Sequence, residues 1–388
     1  MHIIGITRGI KNLIYYTVID LKGNVVEHNS LNIIKTKKKD GTVIEDDYNA
    51  SLEIRARENV GKKMAWDSEY TIKDLKKGYM SQVVSVISKL IIKYNAAVVL
   101  EDLSGNFKDK GKAIDKTVYT DFENALLNKL HFLVTDKDIN SSEIGSVLKP
   151  YQLCATVNNK ESLSFQNGFV FFLSPAYTGS LDPSTGFVNR LNLQYKGKEK
   201  AASILKTLDY MKFEDDCYKI AFDYKNFKYI DKKDFDGIKT DWIINTRGIR
   251  YNIYRNKSTN NMWKGETVDL TDAFTQLFAE YDIDIQGDIL TQIIDTNKAK
   301  LYESFLNLLR LVVRTNNNLE NDYVYASPVE GSAYNEHYGI ADNISSYNIA
   351  RKGLMAVEKI TGSKDDFVKI ASTTNDWLRY NLQNPHKA

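Results

Sequence analysis

Two acidic residues occupy positions where carboxylates commonly perform chemistry in α/β proteins. Glu101 ends the apolar run AAVVL, which is typical of a buried strand, and Asp342 stands at a turn that leads into a helical pattern. Carboxylate oxygens are the hard ligands that Mg²⁺ prefers, and paired Mg²⁺ ions hydrolyse phosphodiesters. A site for two such ions needs a further carboxylate on the first strand, where this chain has Thr7.

The elements that must position these residues can be read from hydrophobic periodicity. Runs rich in β-branched and aromatic residues predict an antiparallel meander, and continuous apolar runs predict buried parallel strands. Apolar residues recurring every three or four positions predict amphipathic helices. The predicted strands are 2–8, 13–20, 24–33, 96–103 and 168–174, and the predicted helices are 71–94 and 121–134.

Composition narrows the class of protein and its surroundings. The chain has 388 residues, enough for roughly two domains, with 43% hydrophobic and 26% charged residues. Lys and Arg number 52 against 50 Asp and Glu, so nucleic-acid binding would require local basic clusters. Cys154 and Cys217 form no disulfide framework, which favours a cytoplasmic location. Scattered histidines argue against a zinc site, and no apolar run is long enough to span a membrane.

The order of the elements predicts the fold class. A meander, a helix, a parallel strand ending in acid and a late Asp heading a helix form the layout of an RNase H-like α/β fold, a mixed sheet flanked by helices. Residues 175–341 change character, with short mixed strands and helices at 270–282 and 297–313. We interpret them as an inserted α+β domain between segments 1–174 and 342–388. The stretch 50–68 predicts a helix with one basic face.

Longer blocks of sequence identify a family. The segments IIGITRGIKNLIYYTVIDLKGN, VVLEDL, VLKPYQL, GFVFFLSPAYTGSLDPSTGFVN, DYVYASPV and YNIARKGL closely resemble the RuvC and Nuc portion of type V-A CRISPR effector nucleases, the Cas-twelve-a or Cpf family. The resemblance runs through essentially the whole chain but covers only the C-terminal part of the family's architecture. It implies a truncated effector without the recognition lobe and the guide-handle-binding wedge.

The resemblance assigns roles residue by residue. The family's Gly-Ile-Asp-Arg-Gly motif aligns with Gly5 to Gly9, so that Thr7 replaces the first catalytic aspartate. Glu101 matches the second catalytic acid and Asp342 the third, although the family's Asp-Ala-Asn-Gly is Asp-Asn-Ile-Ser here. Arg314 matches an arginine placed beside the cleavage site, where it would clamp a phosphate. Trp66 matches the tryptophan that anchors the bridge helix.

Each of these roles has a structural alternative. Arg314 could be a helix-end cation favoured by the dipole, and Glu101 and Asp342 could be solvated ends of a strand and a helix. Trp66 could belong to the core. The basic side chains of the bridge-like helix could form a solvated face instead of a nucleic-acid contact. They are Arg55, Arg57, Lys62 and Lys63.

Two functions therefore stay open. The resemblance implies an RNA-guided, Mg²⁺-dependent DNA endonuclease module, and loss of the carboxylate at Thr7 predicts weak or absent metal binding and cleavage. The alternative is a non-catalytic DNA- or RNA-binding module or accessory subunit derived from such an effector. In either case we expect guide RNA to be held only through a separate recognition-lobe protein.

Overall fold

The computed structural model describes the chain over eleven stretches, and its contacts divide the chain into two compact units. The first unit comprises Met1–Gly179 and Asp342–Ser372, and the second comprises Ser180–Ala341 and Thr373–Ala388. Each unit is described separately. The described stretches are residues 1–9, 13–51, 53–54, 66–102, 116–131, 169–227, 235–256, 262–319, 322–334, 341–363 and 369–386.

The first unit is built on a five-stranded mixed sheet. Its strands are β1 (His2–Arg8), β2 (Ile14–Ile19), β3 (Val25–Ser30), β6 (Ala96–Glu101) and β7 (Val170–Leu173), and their order in the sheet is β3-β2-β1-β6-β7. Strands β1, β2 and β3 form the predicted antiparallel meander, and β6 and β7 continue the sheet in parallel from β1. The α/β fold class predicted from the sequence is confirmed.

Helices cover both faces of this sheet. The helices α1 (Trp66–Tyr94) and α2 (Lys116–His131) pack on one face of the sheet. There, Ile4 and Val98 of the strands and apolar residues of the two helices form one core cluster. Helix α7 (Ala341–Gly362) packs on the other face, where Ile3 and Val99 contribute. Because both faces are buried, β1 and β6 are apolar on both sides, which explains their continuous apolar runs.

A hairpin between the meander and α1 was not predicted. Strands β4 (Ile33–Lys37) and β5 (Val43–Asp47) pair antiparallel around a turn in which the Gly41 amide donates to the Lys38 carbonyl at 3.0 Å. The sequence prediction extended the third strand to residue 33 and treated residues 35–49 as a polar segment. Most of the side chains in this hairpin are exposed and about half are charged, so hydrophobic alternation is too weak to reveal it.

The second unit combines a small antiparallel sheet with two-stranded ribbons and helices. Its elements are α3 (Lys198–Leu205), β8 (Leu208–Glu214), β9 (Cys217–Asp223), β10 (Asp241–Asn245), β11 (Ile249–Asn256), β12 (Met262–Asp269), α4 (Leu270–Glu280), α5 (Ile289–Thr296), α6 (Ala299–Val312), β13 (Asn316–Leu319), β14 (Asp322–Tyr325) and α8 (Thr374–Gln383). The sheet has the order β10-β9-β8, and two further pairs are formed by β11 with β12 and by β13 with β14. The predicted helices 270–282 and 297–313 are confirmed as α4 and α6.

The C-terminal helix α8 (Thr374–Gln383) is grouped by its contacts with the second unit. From the sequence we predicted residues 342–388 as one RuvC-like segment, which stays a prediction. A capping box between Thr373 and Asp376 starts the helix, Trp377 is buried, and the Arg379 guanidinium donates to the Asp236 carbonyl. Helix α8 therefore packs in the second unit, although it follows α7 in the sequence.

Candidate active site

Thr7 and Glu101 are brought together by adjacent parallel strands. The register pairs Gly5 of β1 with Val99 of β6, so residues two positions further along each strand lie side by side at the carboxyl ends. The Thr7 hydroxyl donates to Glu101 Oε1 at 2.8 Å. Both residues are buried, at 1% and 3% exposure. A buried carboxylate requires hydrogen-bond donors, and Thr7 supplies one of them.

Arg8 supplies the second donor and a balancing charge. Its backbone amide donates to Glu101 Oε2 at 3.2 Å, and its guanidinium Nε lies 3.5 Å from the same oxygen. The guanidinium carbon also lies 5.6 Å from the centre of the Tyr119 ring, close enough for a cation–π contact. Both oxygens of Glu101 are thus engaged by groups on β1, and the charge of Glu101 is paired within the protein.

Asp342 lies in the first turn of α7 and is also buried, at 2% exposure. Tyr15 of β2 pairs with Thr7 in the sheet register. Burial raises the pKa of the Tyr15 hydroxyl, and the negative charge of Asp342 raises it further. Asp342 therefore lies near the strand pair that carries Thr7. A carboxylate in the first turn of a helix also interacts favourably with the helix dipole.

Close packing fixes the helix that carries Asp342. A Cβ atom on Gly5 would lie 2.5 Å from the Ala350 amide nitrogen and still closer to the Ser346 carbonyl oxygen, so only glycine allows α7 to approach β1 here. The hydroxyls of Thr17 and Ser346 also form a hydrogen bond of 2.5 Å between β2 and α7. The position of the helix is set by the central strands.

A lysine on α7 lies near Glu101. The Lys352 ammonium donates to the carbonyls of Ser174 and Ala176 at 2.7 and 2.8 Å. Burial lowers the pKa of Lys352 to about 7, while the negative charge of Glu101 opposes that shift. Sequence analysis did not identify Lys352 or Arg8 as site residues. The features of the sequence that could have identified them are their positive charge and their places in the motifs GITRG and YNIARKG.

The residues present do not match a two-metal site. Glu101 and Asp342 contribute two carboxylates, Thr7 contributes a neutral hydroxyl, and Arg8 already offsets one negative charge. In the described part of the chain, no group of three or more His, Cys, Asp or Glu side chains could hold a metal ion. Two divalent cations would therefore meet too few anionic ligands and too little negative charge.

Arg314 belongs to the second unit, whereas Thr7, Glu101 and Asp342 belong to the first. It follows the C-terminal end of α6, is half-buried, and lines a pocket of about 560 Å³. Burial lowers the pKa of Arg250 to about 10, and the positive charge of Arg314 adds to that effect. The sequence did not single out Arg250, because its burial depends on the packing of β11.

The remaining predicted contacts are not covered by the described residues. The bridge-like helix at about 50–68 lies mostly outside them, and Trp66 is described only as the first residue of α1. The basic residues predicted to contact nucleic acid also lie outside the described residues and remain predictions. They are Arg55, Arg57, Lys62 and Lys63.

The fold and the site together define a class of protein. A mixed sheet covered by helices on both faces, with acids at a strand end and at a helix head, is the architecture of RNase H-like nucleases. A family model for the RuvC nuclease domain matches residues 1–386, so the chain belongs to the RuvC nuclease domain family. Nucleases of this type act on nucleic acids and generally use divalent metals. No helix in the described ranges is long and apolar enough to cross a membrane.

Proposed function

We propose that this chain is the RuvC–Nuc module of an RNA-guided type V-A effector and that it hydrolyses phosphodiesters very slowly because Thr7 replaces a metal-binding carboxylate. The hydrogen bond from Thr7 to Glu101 carries this proposal. It joins a neutral hydroxyl to an acid at a strand end, and the family that this chain resembles has an aspartate at the position of that hydroxyl.

The chemistry of the donor set supports Mg²⁺ as the ion that the site would favour. Glu101 and Asp342 offer only hard oxygen ligands, which suit Mg²⁺ better than softer metals. Thr7 brings neither charge nor a second ligand oxygen, so we expect weak Mg²⁺ binding. Loss of a ligand at a catalytic metal site costs several kcal/mol of transition-state stabilisation, and each ~1.4 kcal/mol is tenfold in rate.

A cleavage assay tests the proposal directly. The native chain and the Thr7→Asp variant are incubated with end-labelled single-stranded DNA over a series of Mg²⁺ concentrations, and Thr7→Asn serves as a control of similar shape without charge. We expect Thr7→Asp to cut at least about a hundredfold faster than the native chain, the effect of roughly 2.7 kcal/mol. The gain should disappear in the double variant Thr7→Asp/Glu101→Gln. Equal rates for the native chain and Thr7→Asp would contradict the proposal.

The hydrogen bonds that both carboxylate oxygens of Glu101 accept favour a second function, nucleic-acid binding without cleavage. Because Thr7 and Arg8 engage both of its oxygens, the carboxylate is satisfied without a metal ion, as expected of a module that binds nucleic acid without cutting it. The module would then serve as an accessory to a guide-RNA-holding partner. Salt-sensitive DNA or RNA binding, with no cleavage by either the native chain or Thr7→Asp, would favour this function.

A further inference from the structure

Arg250 is a buried cation on β11, and it has no acidic partner in the described part of the second unit. Only 3% of its surface is exposed. Its Nη1 donates to the Ile249 carbonyl at 3.3 Å, and its Nε has no hydrogen-bond partner among the described residues. Its pKa of about 10 keeps the guanidinium charged at neutral pH, so loss of a proton does not relieve the cost of burial. A buried charge of this kind is stabilised when an anion binds near it.

Arg250 lies on the side of the β11–β12 ribbon that borders a pocket. Alternate residues of a strand share a face. Asn252 and Tyr254, which follow Arg250 at this spacing, line the pocket of about 560 Å³ together with residues of α4 and α6. Val268, the partner of Arg250 in the register of the ribbon, lines the same pocket. The buried guanidinium therefore belongs to the wall behind this pocket.

Arg314 brings a second guanidinium to the pocket. It follows the C-terminal end of α6, is half-buried and lines the pocket. Strand β13 begins two residues later and contacts β11, the strand that carries Arg250. Burial lowers the pKa of Arg250 and the positive charge of Arg314 lowers it further, so the two cations are close enough to repel each other. An anion bound beside them would offset this repulsion.

The two acids that line the pocket do not neutralise this cationic end. Glu266 and Glu280 are both exposed, and neither contributes to the pKa shift of Arg250. The Glu266 carboxylate already accepts a hydrogen bond from the Tyr254 hydroxyl at 3.2 Å. Glu280 ends α4, and a cation–π contact joins the end of α4 to the start of α6. Arg314 follows the other end of α6, roughly 20 Å away at 1.5 Å per residue.

We propose that Arg250 is a fixed positive charge that, together with Arg314, makes this end of the pocket a binding site for one phosphate group of a nucleic-acid backbone. The proposal rests on the proposed function as a nucleic-acid module, and it adds Arg250 to the residues that hold the nucleic acid. Guanidinium groups match the geometry of phosphate oxygens, and partial burial strengthens the attraction. Arg314 makes the contact from the pocket wall, and Arg250 adds its charge from behind.

Side-chain NMR of the full chain tests the site. The protein carries isotope-labelled arginine, EDTA removes metal ions, and the Nε–H signal of Arg314 is assigned from the variant Arg314→Gln, which lacks it. The probe is a thymidine dinucleotide that carries one phosphodiester, and its uncharged methylphosphonate analogue is the control ligand. We expect the Arg314 signal to shift with the dinucleotide until the site is saturated, and to stay unchanged with the analogue.

Matched variants isolate the contribution of Arg250. Arg250→Met keeps a long side chain without the charge and should weaken binding of the dinucleotide roughly tenfold or more, whereas Arg250→Lys should retain most of the affinity. Arg255→Gln removes a cation from the opposite face of the same strand and should leave the affinity unchanged.

The melting temperature separates a binding role from a structural one. Arg250→Met should melt at the temperature of the native chain or above it, because the variant removes a buried charge that has no acidic partner among the described residues. Loss of both melting temperature and affinity in Arg250→Met, without recovery of affinity in Arg250→Lys, would assign a structural role to Arg250 and overturn the proposal.

The remaining outcomes bear on separate claims. Native affinity in Arg250→Met, or equal binding of the methylphosphonate analogue, would overturn the phosphate site. Binding of acetate as tight as that of the dinucleotide would overturn the assignment to phosphate, and binding of inorganic phosphate without the dinucleotide would overturn the assignment to nucleic acid. If the dinucleotide binds as expected but Thr7→Asp gains no cleavage, the phosphate site stands and the nuclease function falls. Cleavage by Thr7→Asp with native affinity in Arg250→Met would show the reverse.

Discussion

Replacing Arg8 with Met should destabilise the first unit locally, because it removes the cation that balances the buried Glu101. Breaking a buried ion pair from one side commonly costs about 3–5 kcal/mol, since the remaining charge is left uncompensated. Here Glu101 keeps the Thr7 hydroxyl and the Arg8 backbone amide, and the Nε–Oε2 distance of 3.5 Å is long for a hydrogen bond. We therefore expect a loss at the low end, about 2–4 kcal/mol.

Hydrogen exchange is the suitable assay, because a global unfolding curve would mix the two units. The opening free energies of amides in β1 and β6 should fall by the amount expected, while those in β8 and β9 of the second unit stay unchanged. The double variant Arg8→Met/Glu101→Gln should recover a large part of the loss, because it removes the uncompensated charge. A loss below about 1 kcal/mol in Arg8→Met, or no recovery in the double variant, would refute the charge-balance reasoning.

Three further predictions concern the same unit. Thr7→Val removes the donor to Glu101 Oε1 at nearly constant shape, so amide opening in β1 should become easier by about 1–3 kcal/mol, whereas Thr7→Ser should retain most of the stability. Gly5→Ala forces a methyl group onto the Ser346 carbonyl. We therefore expect a lower melting temperature and faster amide hydrogen exchange in α7. A native-like melting temperature would contradict the packing described. The pKa of Lys352 is about 7 in the folded chain, below its unfolded value, so the unfolded state binds more protons between that value and about 10. Stability should therefore rise with pH across this window, and the native chain should become more stable relative to Lys352→Met as pH rises; a constant difference between the two would contradict the shift.

The strands of the first unit's sheet and the helix α1 that covers it were predictable, because burial of both sheet faces produces continuous apolar runs in the sequence. The runs around Ile3 to Ile6 and Val98 to Leu100 are continuous and apolar, and α1 has clear helical periodicity. The β4–β5 hairpin lacks such a signal, because its exposed charges carry no consistent alternation. Helix α8 was recognised as amphipathic, but its sequence does not say which unit receives Trp377.

The candidate site was predictable only in part. The strand-end position of Glu101 and the helix-head position of Asp342 follow from patterns along the chain. Arg8 and Lys352 lie near Glu101 only because of which strands are neighbours in the sheet and how α7 crosses them. Neither of these features can be read from the sequence around the two residues.

Under the proposed function, the packing of α7 against Gly5 distinguishes two kinds of substitution. A change at position 7 alters a side chain on a backbone whose geometry is held by other residues, so Thr7→Asp should leave the head of α7 in place. A bulkier residue at position 5 would push the helix away and displace Asp342, whatever residue occupies position 7. Directed evolution toward cleavage should therefore succeed from this chain and fail in a background that has lost the glycine.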